Sequence, residues 1–163
     1  MMIAAVDVDY RDPDAVAACV TFSSWSDARP SGEYVERVRN VAAYVSGRFY
    51  QRELPCIRAV IERAGVRPAL VIVDGHVWLT GQGPGLGAHL SDAIGVPVIG
   101  VAKTEYVGAP AIEVLRGTSE KPLYVSAIGV DPAQAATWIR AMHGEHRIPT
   151  LLQCVDRLCR EAP

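Results

Sequence analysis

The residues of this chain with the means to do chemistry are acids set into apolar segments. The stretch Ala69-Leu70-Val71-Ile72-Val73-Asp74-Gly75-His76 runs five apolar residues into a carboxylate, a glycine and a histidine. A β-branched run this short, bounded by Pro68 and Gly75, reads as a strand buried on both faces. A carboxylate at its end is either exposed at the sheet edge or neutralised by a partner. Strand ends are also where open α/β sheets place their chemistry. An Asp that merely opens a turn with Gly75 is the plain alternative. Three more acids stand in comparable settings: Asp7 in the apolar segment Met2 to Val8, Glu53 in a helical segment ahead of Pro55, and Asp156 in a final amphipathic segment. For any one of them, a solvated acid is the ordinary outcome. Together they would repel one another and call for a cation. Mg²⁺ takes hard oxygen ligands and keeps several waters. Two such ions about 3.5–4 Å apart activate water and stabilise the leaving oxygen in phosphodiester cleavage.

These acids need elements to carry them. Met2 to Val8 reads as a strand, with Asp7 and Asp9 on one side because side chains alternate. Arg11-Asp12-Pro13-Asp14 is turn chemistry. Ala15 to Trp25 is a second strand, and Glu33 to Tyr44 a third, with a helix over Glu33 to Ala43 as the competing period. The short spacing suggests an antiparallel meander. Gly47 to Ala64 carries Phe49, Leu54, Ile57, Val60 and Ile61 at helical spacing, with Gly65 as a stop and a kink or break expected at Pro55. After the Asp74 strand come a glycine-rich loop, Val77 to Gly87, a short helix, Ala88 to Ile94, and a buried strand, Val96 to Lys103. Strand, helix and strand imply a right-handed parallel crossover. Weak strand character at Ala111 to Leu115 precedes a strand from Pro122 to Val130. Asp131-Pro132 caps a helix running to Gly144. Thr150 to Glu161 is the last helix, with Leu151, Leu152, Val155 and Leu158 inward.

The 163 residues, half of them hydrophobic, suit one domain spanning 1–163 with a full core. The formal charge of −2 advertises no basic field for nucleic acid, although an acid cluster holding metal ions lowers that charge without repelling a phosphate. Of sixteen cations all but Lys103 and Lys121 are arginine, which suits bidentate phosphate contacts. Cys19, Cys56, Cys154 and Cys159 form no C-x-x-C pair and read as free thiols in a reducing compartment. No apolar run reaches the ~18 residues of a membrane span, and no signal peptide is recognised. The expectation is a cytoplasmic protein, monomeric and without membrane contact.

The order of elements, with an acid in strand one, a three-strand meander, an acid on a helix, an acid ending strand four and an acid on the last helix, resembles the ribonuclease H-like nuclease fold. The resemblance implies an α/β mixed sheet in which an antiparallel meander is followed by parallel strands, with helices on both faces and the acids meeting at one sheet end. The local words narrow it: Val6-Asp7-Val8, Tyr44-Val45-Ser46-Gly47, Arg52-Glu53-Leu54-Pro55, Val73-Asp74-Gly75-His76, Gly87-Ala88-His89-Leu90, Ile99-Gly100-Val101-Ala102-Lys103, Pro122-Leu123-Tyr124-Val125-Ser126 and Arg147-Ile148-Pro149. In this order they resemble the endonuclease V family across nearly the whole chain. That resemblance implies a metal-dependent endonuclease that nicks DNA or RNA on the 3′ side of a deaminated base, typically inosine, presented single-stranded or extruded. It implies Asp7, Glu53 and Asp74 as ligands of Mg²⁺ or Mn²⁺. Asp156 matches the family's last-helix acid or histidine, and Lys103 a cation at the scissile phosphate. Tyr44, Gly47, Gly75, His76 and Thr80 occupy positions of substrate contact, where glycine lets backbone and base approach closely.

The chain also departs from the family pattern. Ala43-Tyr44-Val45-Ser46-Gly47 keeps the tyrosine of the family's wedge and lacks both of its prolines. Thr80, Gly81 and Gln82 stand where the family has histidine, proline and a basic residue. Ser126-Ala127-Ile128-Gly129 replaces Ser-Pro-Gly-His. Many members carry a helix before the strand at which this chain starts. A binding module of the same fold with little or no turnover and altered lesion specificity is therefore the second expectation. A third, a dinucleotide site at Gly83-Pro84-Gly85-Leu86-Gly87-Ala88 with Glu105 as ribose contact, fails on context, because the first glycine should follow its strand at once.

Overall fold

The computed structural model describes residues 1–46 and 48–163, with Gln82 described by its backbone alone. Gly47, expected at the substrate, lies outside the described residues. Seven strands form one mixed sheet: β1 (Ile3–Arg11), β2 (Asp14–Phe22), β3 (Gly32–Val38), β4 (Leu70–Asp74), β5 (Val98–Ala102), β6 (Ile112–Val114) and β7 (Leu123–Ile128). The spatial order is β3-β2-β1-β4-β5-β7-β6. The meander β1–β2–β3 is antiparallel, while β1, β4 and β5 run parallel. Beyond them β7 and β6 pair antiparallel, a reversal that the apolar pattern of Pro122 to Val130 does not encode.

Among the described residues four α-helices cover the two faces: α1 (Phe49–Ala64), α2 (Leu86–Ile94), α3 (Pro132–Ala141) and α4 (Thr150–Glu161), with a 3₁₀ turn at Thr80–Gln82. Alternation along β1 sorts the chain into two cores. Ala4 and Val6 pack with Cys56, Ile57, Val60, Leu86 and Leu90 of α1 and α2. Ile3 and Ala5 pack with Ile139 of α3 and Leu151, Val155 and Cys159 of α4. Asp7 continues the second series and so faces the α4 side.

Most boundaries fall short of the apolar pattern, and each has a local cause. The second strand stops at Phe22, not Trp25, because Asp27 Oδ2 accepts from the Ser23 and Ser24 amides and turns the chain. The third stops at Val38: Asn40 takes a left-handed φ of 54°, and its amide donates to Asp14 Oδ1. The first strand instead continues to Arg11, since β2 pairs with it through Arg11 and Asp14. The helix α1 runs unbroken through Pro55 and ends at Gly65 in the left-handed region. The helix α3 ends at Ala141 rather than Gly144, because Arg116 claims the carbonyls that follow.

Candidate active site

The parallel pairing of β1 with β4 ends at Val6 and Val73, so Asp7 in the middle of β1 and Asp74 at the end of β4 come side by side where the two central strands part. Asp7 is 8% exposed and its Oδ1 accepts from the Val8 amide at 2.9 Å. Burial, reinforced by the charges of Asp74 and Asp156, pushes its carboxyl up to about 7. Glu53 arrives from the other layer: α1 presents Arg52, Glu53, Cys56, Ile57 and Val60 inward. It is 4% exposed, and its Oε2 has no hydrogen-bond partner. Burial first, then Asp7 and Asp74, hold its carboxyl well above the usual range. Asp156 comes from α4, on the opposite side of the sheet from Glu53. An oxygen of Asp7, an oxygen of Asp156 and the Cys159 thiol lie within 4.8 Å of one another. The helix α4 is held there by Arg11, whose Nη2 donates to the carbonyls of Cys159 (2.9 Å) and Arg160 (3.1 Å) near its C-terminus.

Lys103, just past β5, donates from Nζ to Asp74 Oδ2 at 3.4 Å. A small cavity of about 30 Å³ between Asp7, Asp74 and Lys103 is floored by Ile72, Val101 and Leu152. The site therefore sets Asp7, Asp74 and Lys103 side by side, with an oxygen of Asp156 within 4.8 Å of Asp7 and Glu53 close enough to feel the charges of Asp7 and Asp74. The expected ligand set Asp7, Glu53 and Asp74 does not lie within 4.8 Å of one another; among the described residues that closeness is reached by Asp7, Asp156 and Cys159. A buried carboxylate oxygen without a partner, beside acids that raise one another's protonation, is the arrangement a divalent cation resolves. The donor set is hard oxygen, as Mg²⁺ or Mn²⁺ requires. The thiol of Cys159, pushed up to about 12 by burial and the neighbouring acids, stays neutral.

The turn after Asp74 is built by backbone proximity. Gly75 takes a φ of 147°, and its amide donates to the Val101 carbonyl at 3.1 Å. Gly100 leaves the room: a Cβ there would meet the Gly75 carbonyl oxygen at 2.5 Å. The Val77 amide donates to the buried Ser126 hydroxyl at 2.9 Å. Gly85 and Gly87 serve the same turn, since a Cβ on either would strike the His76–Val77 backbone or the Val77 side chain. The glycine-rich segment is thus occupied in packing α2 against this turn.

Beside the acids opens a larger cleft of about 720 Å³, lined by Tyr44, Phe49, Tyr50, Gly75, His76 and Tyr106 among others. Tyr44 is 60% exposed, and its ring lies 6.2 Å from Phe49. His76 turns Nε2 to the Thr104 carbonyl at 2.9 Å, and its ring faces Tyr106 at 6.1 Å. Tyr50 stacks on His89 with centroids 3.6 Å apart. Thr80 stands away from the lining and donates to the Val107 carbonyl at 2.7 Å, tying two loops together. Phe49, Tyr106 and Ser126 carry parts of this site that residue spacing did not single out. Tyr106, three residues beyond Lys103, was the one with a positional signal.

A mixed sheet whose first five strands lie in the order β3-β2-β1-β4-β5, with acids converging from β1, α1, β4 and α4, defines a nuclease of the ribonuclease H-like fold. Comparison with known proteins gives the family. The Endonuclease V family model matches residues 1–116. An Endonuclease V of Streptomyces avermitilis is 31% identical over 98% of this chain and 80% of its own. That of Rhodospirillum centenum is 36% identical over 65% of this chain and 53% of its own. The crystal structure of the Streptomyces avermitilis enzyme superimposes with a TM-score of 0.79. A Ciona intestinalis Endonuclease V, solved with DNA containing an inosine followed by a ribo-adenosine, shares the fold with a TM-score of 0.85 at 19% identity, covering 98% of this chain and 84% of its own. The chain belongs to the endonuclease V family of nucleases.

Proposed function

We propose that the protein hydrolyses a phosphodiester bond of DNA or RNA on the 3′ side of a deaminated base such as inosine, with Mg²⁺ (or Mn²⁺) held by Asp7, Glu53 and Asp74. The observation that supports this is the convergence of Asp7, Asp74, Asp156 and Lys103, with the buried Glu53 close by, where the central strands part beside a cleft walled by aromatic rings. The bound ions would neutralise the acids, activate a water and stabilise the leaving oxygen. The chain's own groups supply the rest. Asp7 and Glu53 hold fixed, dry oxygen donors. Asp156 adds an acid on the far side of the sheet, placed to orient a water or a further ion. Lys103 directs a positive charge at the point where a scissile phosphate would develop charge. Tyr44, Phe49 and Tyr106 offer faces on which an extruded base can stack. Gly75 exposes backbone to that base without a side chain in the way. His76 and Thr80 brace the loops that shape the cleft.

The test is nicking of labelled single-stranded DNA and RNA oligonucleotides, with and without one inosine, in Mg²⁺, Mn²⁺ or chelator, beside Asp74→Ala. Metal-dependent nicking near inosine, lost in the variant, supports the whole proposal. Nicking indifferent to inosine keeps the chemistry and removes the specificity. Tight binding with no cutting of any strand would leave a recognition module, the outcome favoured by the absent wedge prolines.

A further inference from the structure

Arg147 stands in the loop between α3 and α4, far in sequence from Asp7, Glu53 and Asp74, yet its guanidinium reaches the backbone beside Lys103. Its Nη2 donates to the Lys103 carbonyl at 2.5 Å and to the Pro122 carbonyl at 2.8 Å. These carbonyls flank the paired strands β5 and β7: Lys103 follows the last residue of one, and Pro122 precedes the first of the other. Lys103 in turn donates to Asp74. The loop carrying Arg147 is itself clamped. Arg116, 4% exposed, donates to the carbonyls of Met142 (2.5 Å), Gly144 (3.0 Å), His146 (2.6 Å) and Arg147 (3.4 Å). One buried arginine and one half-buried arginine thus direct their Nη donors at main-chain carbonyls and at no carboxylate. Both bonds of Arg147 leave one nitrogen, Nη2, whose two N–H groups each take one carbonyl.

We propose that Arg147 is a positioning residue for Lys103: it pins the backbone at the end of β5 and so sets the ammonium against Asp74 and the scissile phosphate. The inference rests on the role assigned to Lys103 above. Without the pin, the segment after Ala102 is free to shift, and displacements near 1 Å at a reacting group cost about 100-fold in rate. Arg116 acts one step further back, by fixing the loop from which Arg147 reaches.

A double-variant cycle tests it. Arg147→Ala lowers kcat for nicking of an inosine oligonucleotide by tenfold or more and leaves KM within about threefold. The Arg147→Ala, Lys103→Ala double variant is no slower than Lys103→Ala alone. Added guanidinium ion restores part of the rate to Arg147→Ala and none to the double variant. Should Arg147→Ala fail to fold, Arg147→Met, which keeps the apolar stem and has no donor, takes its place in the same cycle. A second measurement needs no turnover. Lys103 and Lys121 are the chain's two lysines, so reductive ¹³C-methylation gives two side-chain NMR signals. Asp74→Asn moves the Lys103 signal in the wild-type background and leaves it unmoved in the Arg147→Ala background. Losses that multiply in the double variant, or a Lys103 signal that responds to Asp74→Asn equally in both backgrounds, overturn the inference. Full activity of Lys103→Ala would remove the role of Lys103 itself, and the pinning proposal with it.

Discussion

Glu53 carries the sharpest cost in the molecule. Its Oε2 is buried without a partner next to Asp7 and Asp74. Replacing it by the uncharged isostere removes that cost and removes an oxygen anion a cation needs. Glu53→Gln is therefore expected to raise the melting temperature of the metal-free protein at pH 8 while lowering nicking by about a thousandfold, within the range set by lost electrostatic stabilisation. Differential scanning fluorimetry with and without Mg²⁺ checks both halves, because the variant should also lose most of the metal-induced shift. Asp7 sets a pH dependence of known sign. Its carboxyl stands near 7 in the fold against 3.8 in the unfolded chain. Between those values the folded state binds more protons, so the metal-free protein loses stability as pH climbs through that window and levels off above it. Divalent cation should flatten the profile, since binding displaces the proton. A metal-free melting temperature that rises from pH 4.5 to 7 would contradict this account of Asp7.

The elements differ in how plainly residue order announces them. The strands β4 and β5 are legible as unbroken apolar runs, and α4 as a stripe of Leu151, Val155 and Leu158, because burial on two faces or one leaves a period that survives any packing detail. Asp7 and Asp74 were visible for the same reason: a charge at the end of such a run has few places to go. The ends of β2, β3 and α3 were not visible. They are decided by single contacts from residues such as Asp27, Asn40 and Arg116, whose partners lie elsewhere in the chain. Arg147 belonged to a recognisable word, yet its role depends on the carbonyls of Lys103 and Pro122, which no local pattern encodes. The Asp74 turn has a similar hidden support in Ser126. Ser126→Ala leaves the buried Val77 amide without its acceptor, which costs about 1–3 kcal/mol. Chemical denaturation should show that loss, with reduced nicking as the turn relaxes. An unchanged midpoint would mean that water replaces the hydroxyl.

At the scale of the whole molecule, a formal charge of −2 has to be reconciled with a polyanionic substrate. The acids of the site account for much of the conflict, so binding of a strand should follow the ion. Fluorescence anisotropy of a labelled single-stranded inosine oligonucleotide at low salt is expected to show at least about tenfold tighter binding in Ca²⁺, which occupies oxygen sites, than in chelator. Equal affinity in the two would place the strand away from the acids. The two cores bear on this as well. Glu53 belongs to the layer of α1, and Asp156 to the layer of α4, with the sheet between them. A cation that engages the acids from both sides is then a staple through the thickness of the domain, closing chain loops much as a cross-link does. Amide exchange should report it: loading the site should slow exchange together in α1 and α4, two helices that pack on opposite faces of the sheet.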